Sequence, residues 1–299
     1  MKHRLVQAGI FLLIVFNGLS AAELKIAACQ FPVSENIASN STWIKQQMRK
    51  AKEQGAEVVH FPECALSGYA GVDLESFDDY EWPLLEKELI SILILADELD
   101  VWVILGSSHR LTGDHKPHNS LYLINPAGQI TDRYDKRFCT KGDLEHYSPG
   151  DHFVTFEINN VKCGLMICYD IRFPELYRAY YKLGVEVIFQ SFYNARQKET
   201  SIHPKIMPVT AQARAATNHF FMSLTNSSAK HSWPCHLITP DGLIADKLPA
   251  NEPGILVFSI DSEIKYYDAS KPFRDAAIEG ILNSGQTVTD PRSQNRQEY

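Results

Sequence analysis

Apolar residues in this chain fall into short runs set apart by polar turns, with a few longer stretches of helical spacing between them. Residues 24–28, 57–61, 101–106, 185–192, 220–225 and 255–260 are short runs bounded by turn residues, and they read as strands. Two pairs of runs fold back as hairpins: 120–124 with 130–134 across a turn at 125–128, and 153–158 with 161–167 across Asn159-Asn160. Residues 236–239 and 243–245 flank a further turn at Pro240-Asp-Gly242. Asn40-Ser-Thr42 predicts the cap of a helix that runs to about Gln54 and stops at Gly55. Helical patterns also cover residues 82–99, the stretch from Pro174 to about Lys182, and residues 208–217. Some strands sit in hairpins and others are separated by helices, so the chain reads as mixed α/β. No internal repeat, low-complexity tract or linker interrupts it, and one domain over residues 23–268 is expected. The tail, 269–299, is polar and is expected to pack on the domain or on a partner subunit.

Three strand ends carry chemistry. The run 57–61 is stopped by Pro62, and Glu63 follows at once. The arm 130–134 leads into Asp135-Lys136, and the apolar run Leu165-Met-Ile167 ends at Cys168-Tyr-Asp170. In α/β folds catalytic groups gather at the carboxyl ends of strands. A bend there can lift a sulfur out of the core and leave the following N–H groups unpaired. Singly, each residue has a bland reading: Cys168 as a small buried hydrophobe, Glu63 as a helix cap, Lys136 as a solvated charge. Together they are complementary. A carboxylate can take the proton of a thiol whose ordinary pKa is about 8.5, and an ammonium can favour the thiolate or hold an oxyanion.

Composition narrows the setting. With 299 residues, 44% of them hydrophobic, the chain has ample apolar surface for a large core. Its net charge of −7, without basic runs, argues against nucleic acid and anionic membranes as partners. Lys2 and Arg4, the apolar block from Ala8 to Phe16 and the small residues Ser20-Ala-Ala22 read as a cleaved signal peptide over 1–22. The protein is then exported, periplasmic or secreted; an uncleaved leader would anchor it instead. No later segment reads as a membrane span. The six cysteines are irregularly spaced and form no C-x-x-C pair, so a disulfide framework is not expected even in an exported chain. Cys168 is expected to stay reduced, and a bridge among the others stays open.

Phe61-Pro-Glu-Cys-Ala-Leu-Ser-Gly-Tyr69, Asp132-Arg-Tyr-Asp-Lys136 and Cys163-Gly-Leu-Met-Ile-Cys-Tyr-Asp-Ile-Arg-Phe-Pro-Glu-Leu-Tyr-Arg178 resemble the three signature blocks of the nitrilase superfamily, the carbon–nitrogen hydrolases. Gln212-Ala-Arg-Ala-Ala-Thr-Asn218 is similar to that family's late arginine-rich helix. The resemblance implies a four-layer αββα sandwich with its site between the sheets. It implies Glu63 as general base, Lys136 as stabiliser of the oxyanion and Cys168 as nucleophile, with the backbone N–H of Tyr169 completing the oxyanion hole. It implies neither metal nor organic cofactor, a small-molecule amide as substrate and a homodimer or higher homo-oligomer.

Substrate choice is less sharply written. By analogy with relatives, Glu145 is expected to position substrate and Lys136. Arg172 is expected either to clamp a substrate carboxylate or to bridge to Glu175. Tyr69 and Asn194 are expected to line the pocket. Ser191-Phe-Tyr-Asn-Ala-Arg196 and Pro208-Val-Thr-Ala211 depart from the family pattern near the pocket mouth. His231, Cys235 and His236 read as a turn beside a core cysteine rather than a metal site, and His109, His115 and His118 as loop residues. The leading reading is an amidase for small linear amides, with a nitrilase or N-carbamoyl hydrolase as runner-up. Acyl transfer and a catalytically silent binding protein complete the set.

Overall fold

The computed structural model describes residues 23–194, 197–261 and 263–297. The leader predicted at 1–22 lies outside the described residues. Within them, two six-stranded sheets stack face to face. The first joins β1 (Glu23–Gln30), β2 (Val58–His60), β3 (Trp102–His109), β4 (His118–Ile124), β5 (Ile130–Asp135) and β12 (Gly254–Asp261), in the order β12-β1-β2-β3-β4-β5. The second joins β6 (Thr155–Ile158), β7 (Val161–Ile167), β8 (Val187–Ser191), β9 (Phe221–Thr225), β10 (His236–Ile238) and β11 (Ile244–Lys247), in the order β11-β10-β9-β8-β7-β6. Each sheet has three parallel strands at its centre and antiparallel strands at its flanks.

Alternation along the strands divides the core. Leu24, Ile26 and Ala28 of β1 face the second sheet, where they meet a layer that includes Leu165, Ile167 and Phe189. Ala27 and Cys29 face the other way, beneath helices α1 (Ile37–Glu53) and α2 (Trp82–Leu99). On the far side, α4 (Pro174–Lys182) and α5 (His203–Asn218) cover Met166, Ile188 and Met222. A short α3 (Asp143–His146) lies in the polar loop after β5. The result is the αββα sandwich. One polar knot interrupts its apolar middle: the His60 ring meets Ser223 Oγ at 3.0 Å and Ser191 Oγ at 2.9 Å across the sheets. Ser191 and Thr225 also donate to the carbonyl of Phe61, at 2.8 and 3.0 Å, two residues before Glu63.

Several boundaries differ from the sequence reading, for local reasons. Helix α1 begins at Ile37, because Asn36 caps it by accepting the N–H of Ser39 at 2.8 Å. Asn40 is not a cap; it is buried, and its amide donates to the carbonyls of Ser34 and Leu66 at 2.7 and 3.2 Å. Helix α5 begins at His203 and contains Pro208, which a breaker rule places at its start. Proline there removes only one backbone donor, and the helix is held by its buried face. His109 and His118 pair with each other across β3 and β4 rather than sitting in loops. The tail meets the domain through Arg274, which donates to Thr217 O at 3.1 Å, and Asp275, which accepts from Tyr181 at 2.8 Å. Beyond Glu279 the described tail is exposed. No helix among the described residues is long and apolar enough to cross a membrane.

Candidate active site

Pro62 ends β2, and the chain turns into a segment packed hard against β3. A Cβ on Gly106 would lie 2.0 Å from the Pro62 carbonyl and 2.8 Å from Cys64 N, so only glycine lets the two backbones come this close. This contact sets Glu63 in the interior, fully buried. Its Oε1 accepts Asn119 Nδ2 at 2.8 Å and Lys136 Nζ at 2.8 Å, and its Oε2 accepts the backbone N–H of Tyr193 at 2.8 Å. Glu63 is thereby tied to both sheets.

Lys136 follows β5, its own N–H bonded to Asn119 O at 2.8 Å. Its ammonium has three partners: Glu63 Oε1, Asp143 Oδ2 at 2.8 Å and the Tyr69 hydroxyl at 3.1 Å. Tyr69 in turn donates to Asp143 Oδ1 at 2.6 Å, closing a ring of hydrogen bonds about the lysine. Burial alone would neutralise Lys136, but Glu63 leads the neighbours that hold it well above the ordinary lysine range. Burial would raise Asp143 as well, yet Lys136 keeps that carboxyl below the usual range and so ionised. Glu63 moves the other way: burial raises it, and the opposing pull of Lys136 does not cancel the rise.

Cys168 stands where β7 ends, with φ at +41°, in the left-handed region a cysteine seldom adopts. The tight turn Cys168–Arg172 that follows is locked by Asp170. That carboxyl accepts Ile167 N at 3.2 Å, Phe138 N at 2.8 Å and the Tyr134 hydroxyl at 2.9 Å, and burial lifts its pKa to about 6. The strained elbow brings the sulfur to the cavity wall beside Lys136, near enough to Glu63 for the two groups to interact electrostatically. Burial and then the Glu63 charge push the thiol well above its ordinary pKa, so at rest it is a neutral S–H beside a poised carboxylate. All six cysteines are free.

A cavity of about 400 Å³ opens over this cluster, its wall including Lys136, Asp143 and Cys168. A larger groove of about 960 Å³, between α4 and the tail, contains none of these groups. Tyr169 borders the cavity too; as the second residue of its turn, its N–H has no acceptor within that turn. Tyr69 and Asn194 lie in the wall as well. Arg172 lines the cavity with a guanidinium that pairs with no described residue, and the bridge to Glu175 is not formed. Glu145 sits exposed at the rim. The acid that reaches Lys136 is Asp143, two residues earlier, and not the Glu145 suggested by analogy. A signal for it exists in the chain: Thr140-x-x-Asp143 is a capping pattern. The two side chains exchange bonds as that pattern requires, Thr140 N to Asp143 Oδ2 at 2.8 Å and Asp143 N to Thr140 Oγ1 at 3.0 Å. No group of three or more His, Cys, Asp or Glu side chains among the described residues is arranged to hold a metal ion.

Residues 25–267 match the Carbon-nitrogen hydrolase family. The chain belongs to that family. This carbon–nitrogen hydrolase is 33% identical over 171 residues to an (R)-stereoselective amidase of Pseudomonas sp., a match spanning 57% of this chain and 58% of that one. It is 26% identical over 262 residues to Omega-amidase NIT2 of Xenopus tropicalis, spanning 82% of this chain and 90% of that one. An amidase from Nesterenkonia sp. shares the fold with a TM-score of 0.72 at 19% identity, over 87% of this chain and 96% of that one. The protein is thus an enzyme that hydrolyses C–N bonds other than peptide bonds.

Proposed function

We propose that the protein is a thiol-dependent amidase that converts a small linear amide, one bearing a carboxylate, to its acid and ammonia. The observation that carries this reading is that the Lys136 ammonium, bonded to Glu63 at 2.8 Å, and Cys168 stand in the wall of one cavity, with Glu63 close enough to shift the thiol's pKa. An amide carbonyl placed beside the sulfur has its oxygen within reach of the Lys136 ammonium and the Tyr169 N–H. Sulfur attacks the carbonyl carbon while its proton passes to Glu63. The tetrahedral oxyanion is held by the two donors. Glu63 returns the proton to the departing nitrogen, ammonia leaves, and a thioester remains on Cys168. Water then gives a proton to Glu63, attacks the thioester and releases the acid with the thiol restored. Asp143 keeps Lys136 charged throughout.

The Arg172 guanidinium, which pairs with no described residue, supports a carboxylate on the substrate. The relation to an omega-amidase and an (R)-stereoselective amidase supports an amide as the substrate. A mutant of the amidase from Nesterenkonia sp. AN1, a relative in fold, shows covalent addition of the acetamide moiety of fluoroacetamide at its active-site cysteine. The test is an ammonia assay over a panel of linear amides, nitriles and N-carbamoyl compounds, with Cys168→Ala as control. Turnover of acidic amides above neutral ones, abolished in the control and with the preference lost in Arg172→Ala, supports the reading. Turnover confined to nitriles or carbamoyl compounds, or undiminished in Cys168→Ala, overturns it. We propose further that residues 1–22 direct export, on the charged, apolar and small-residue order of that segment. A reporter fused to residues 1–22 that stays in the cytosol would refute this.

A further inference from the structure

Two buried tyrosines from distant parts of the chain, Tyr69 and Tyr193, stack in the wall of the active-site cavity, their ring centroids 5.4 Å apart and their planes 15° apart. Each also touches the Glu63–Lys136 pair. The Tyr69 hydroxyl donates to Asp143 at 2.6 Å and accepts from Lys136 at 3.1 Å. The Tyr193 backbone N–H donates to Glu63 Oε2 at 2.8 Å. The base and the ammonium are therefore held from the two members of one aromatic pair.

A third residue joins that pair. Asp73 Oδ1 accepts the Tyr193 hydroxyl at 2.7 Å, and Asp73 Oδ2 accepts the backbone N–H of Tyr69 at 3.0 Å. The Asp73 N–H closes the second link from the other side, donating to the Tyr69 carbonyl at 2.7 Å. Tyr193 is thus gripped at both ends, by Asp73 at its hydroxyl and by Glu63 at its N–H. A carboxylate suits this task because it accepts with both oxygens; an amide in its place would turn an NH₂ toward one of the two donors. Asp73 itself lines a separate outer groove, together with Glu35, Glu75, Asp78, Asp79 and Glu81.

We propose that Asp73 is a positioning residue for the reaction: it holds Tyr193 against Tyr69, so that the Tyr193 N–H stays on Glu63 and the Tyr69 hydroxyl stays on Lys136. The proposal rests on the amidase reading and extends its machinery to a residue that reaches the site only through the two tyrosines. Its consequence is a change in the base. A hydrogen bond donated to a carboxylate favours the ionised form. The charged and titratable groups around Glu63 are Lys136, Asp143, Tyr69, Cys64 and Cys168. Loosening the Tyr193 N–H leaves all of them in place and takes one donor from Glu63, so its pKa rises further. Tyr193→Phe isolates this effect, because it keeps the ring, the backbone N–H and the charge of Asp73. Asp73→Asn does not, since removing a negative charge pulls Glu63 the other way.

Two profiles of the full-length protein against pH test the proposal: kcat/KM on a small linear amide, and alkylation of Cys168 by iodoacetamide, followed on the Cys168 peptide by mass spectrometry. Tyr193→Phe is expected to move the acid limb of both profiles up by at least about half a pH unit. It should lower kcat roughly three- to thirtyfold with KM within about threefold. Asp73→Asn should lower kcat by a similar factor, and the double variant should fall within about threefold of the weaker single one, since both break one link. A merely structural role lowers the melting temperature and leaves the limbs in place. Limbs that stay or move down in Tyr193→Phe, or losses that multiply in the double variant, overturn the proposal. Failure of the amidase reading looks different: the wild-type protein then releases no ammonia from any amide, while the alkylation profiles still separate Tyr193→Phe from wild type.

Discussion

Lys136 uses its three N–H groups on Glu63, Asp143 and Tyr69, and this division of one positive charge between two acids sets the state of the site. The more exposed acid, Asp143, is held ionised, while the deeper one, Glu63, is left with a raised pKa. A base in that position gains affinity for the thiol proton. Glu63 must be deprotonated to act, so kcat/KM rises with pH through its raised pKa. Asp143 is one of the causes that raise it. Asp143→Asn therefore shifts the acid limb of the kcat/KM profile to lower pH and lowers kcat by roughly tenfold to a hundredfold, as Lys136 loses an anchor. A limb that stays in place, or moves up, contradicts this coupling. Glu63, Lys136 and Cys168 were legible in the chain because each ends a strand. Asp143 was harder to see, since its role depends on a one-turn helix inside a loop that composition marks only as polar. Asn119 and Asp73 are invisible to pattern reading: each lies in an ordinary stretch, and only the folded geometry shows what its side chain meets.

At the scale of elements, the site depends on close approach between backbones. Gly106→Ala places a methyl 2.0 Å from the Pro62 carbonyl, and the neighbour is backbone, so the segment carrying Glu63 has to shift. A loss of about 1–3 kcal/mol in urea unfolding, with a fall in turnover, is the expected outcome; unchanged stability and rate would show that the contact is not tight. The His60 knot makes a second prediction. Burial lowers its pKa from the ordinary 6.5 to about 3, so the folded protein keeps it neutral while the unfolded chain charges it. Its contribution is complete above pH 6.5 and is lost as pH falls toward 3. Compared with His60→Gln, which does not titrate, the wild-type protein should lose about 2 kcal/mol of relative stability between pH 6.5 and 5. A pH-independent difference would show that the ring is charged, or open to water, in the folded state. The short apolar run at 24–28 marked β1 correctly, whereas the helix starts at α1 and α5 lie elsewhere than the sequence pattern puts them. Their true caps and proline positions are decided by tertiary contacts of Asn40 and of the α5 face.

For the molecule as a whole, two sheets stacked about an apolar layer deliver three chemical groups from three strand ends to one site, and the start of α5 helps to wall its cavity. The tail contributes little to this frame. Its contacts end near Lys182–Glu279, and from there Ile281, Leu282 and Val288 are exposed, at 56%, 85% and 74%. Deleting 281–299 should leave the melting temperature within about 2 °C and turnover unchanged. A larger, concentration-dependent loss would place the tail on a partner subunit, the other arrangement its polar sequence allows.

The central claim is that Cys168 carries the acyl group. Acid-quenched samples of the enzyme turning over a carboxylate-bearing linear amide, digested and weighed by mass spectrometry, test it directly. The account predicts a peptide containing Cys168 heavier by the mass of the amide less ammonia, absent from Cys168→Ala. Continued ammonia release with an unmodified Cys168 throughout turnover, and with activity retained in Cys168→Ala, would contradict it.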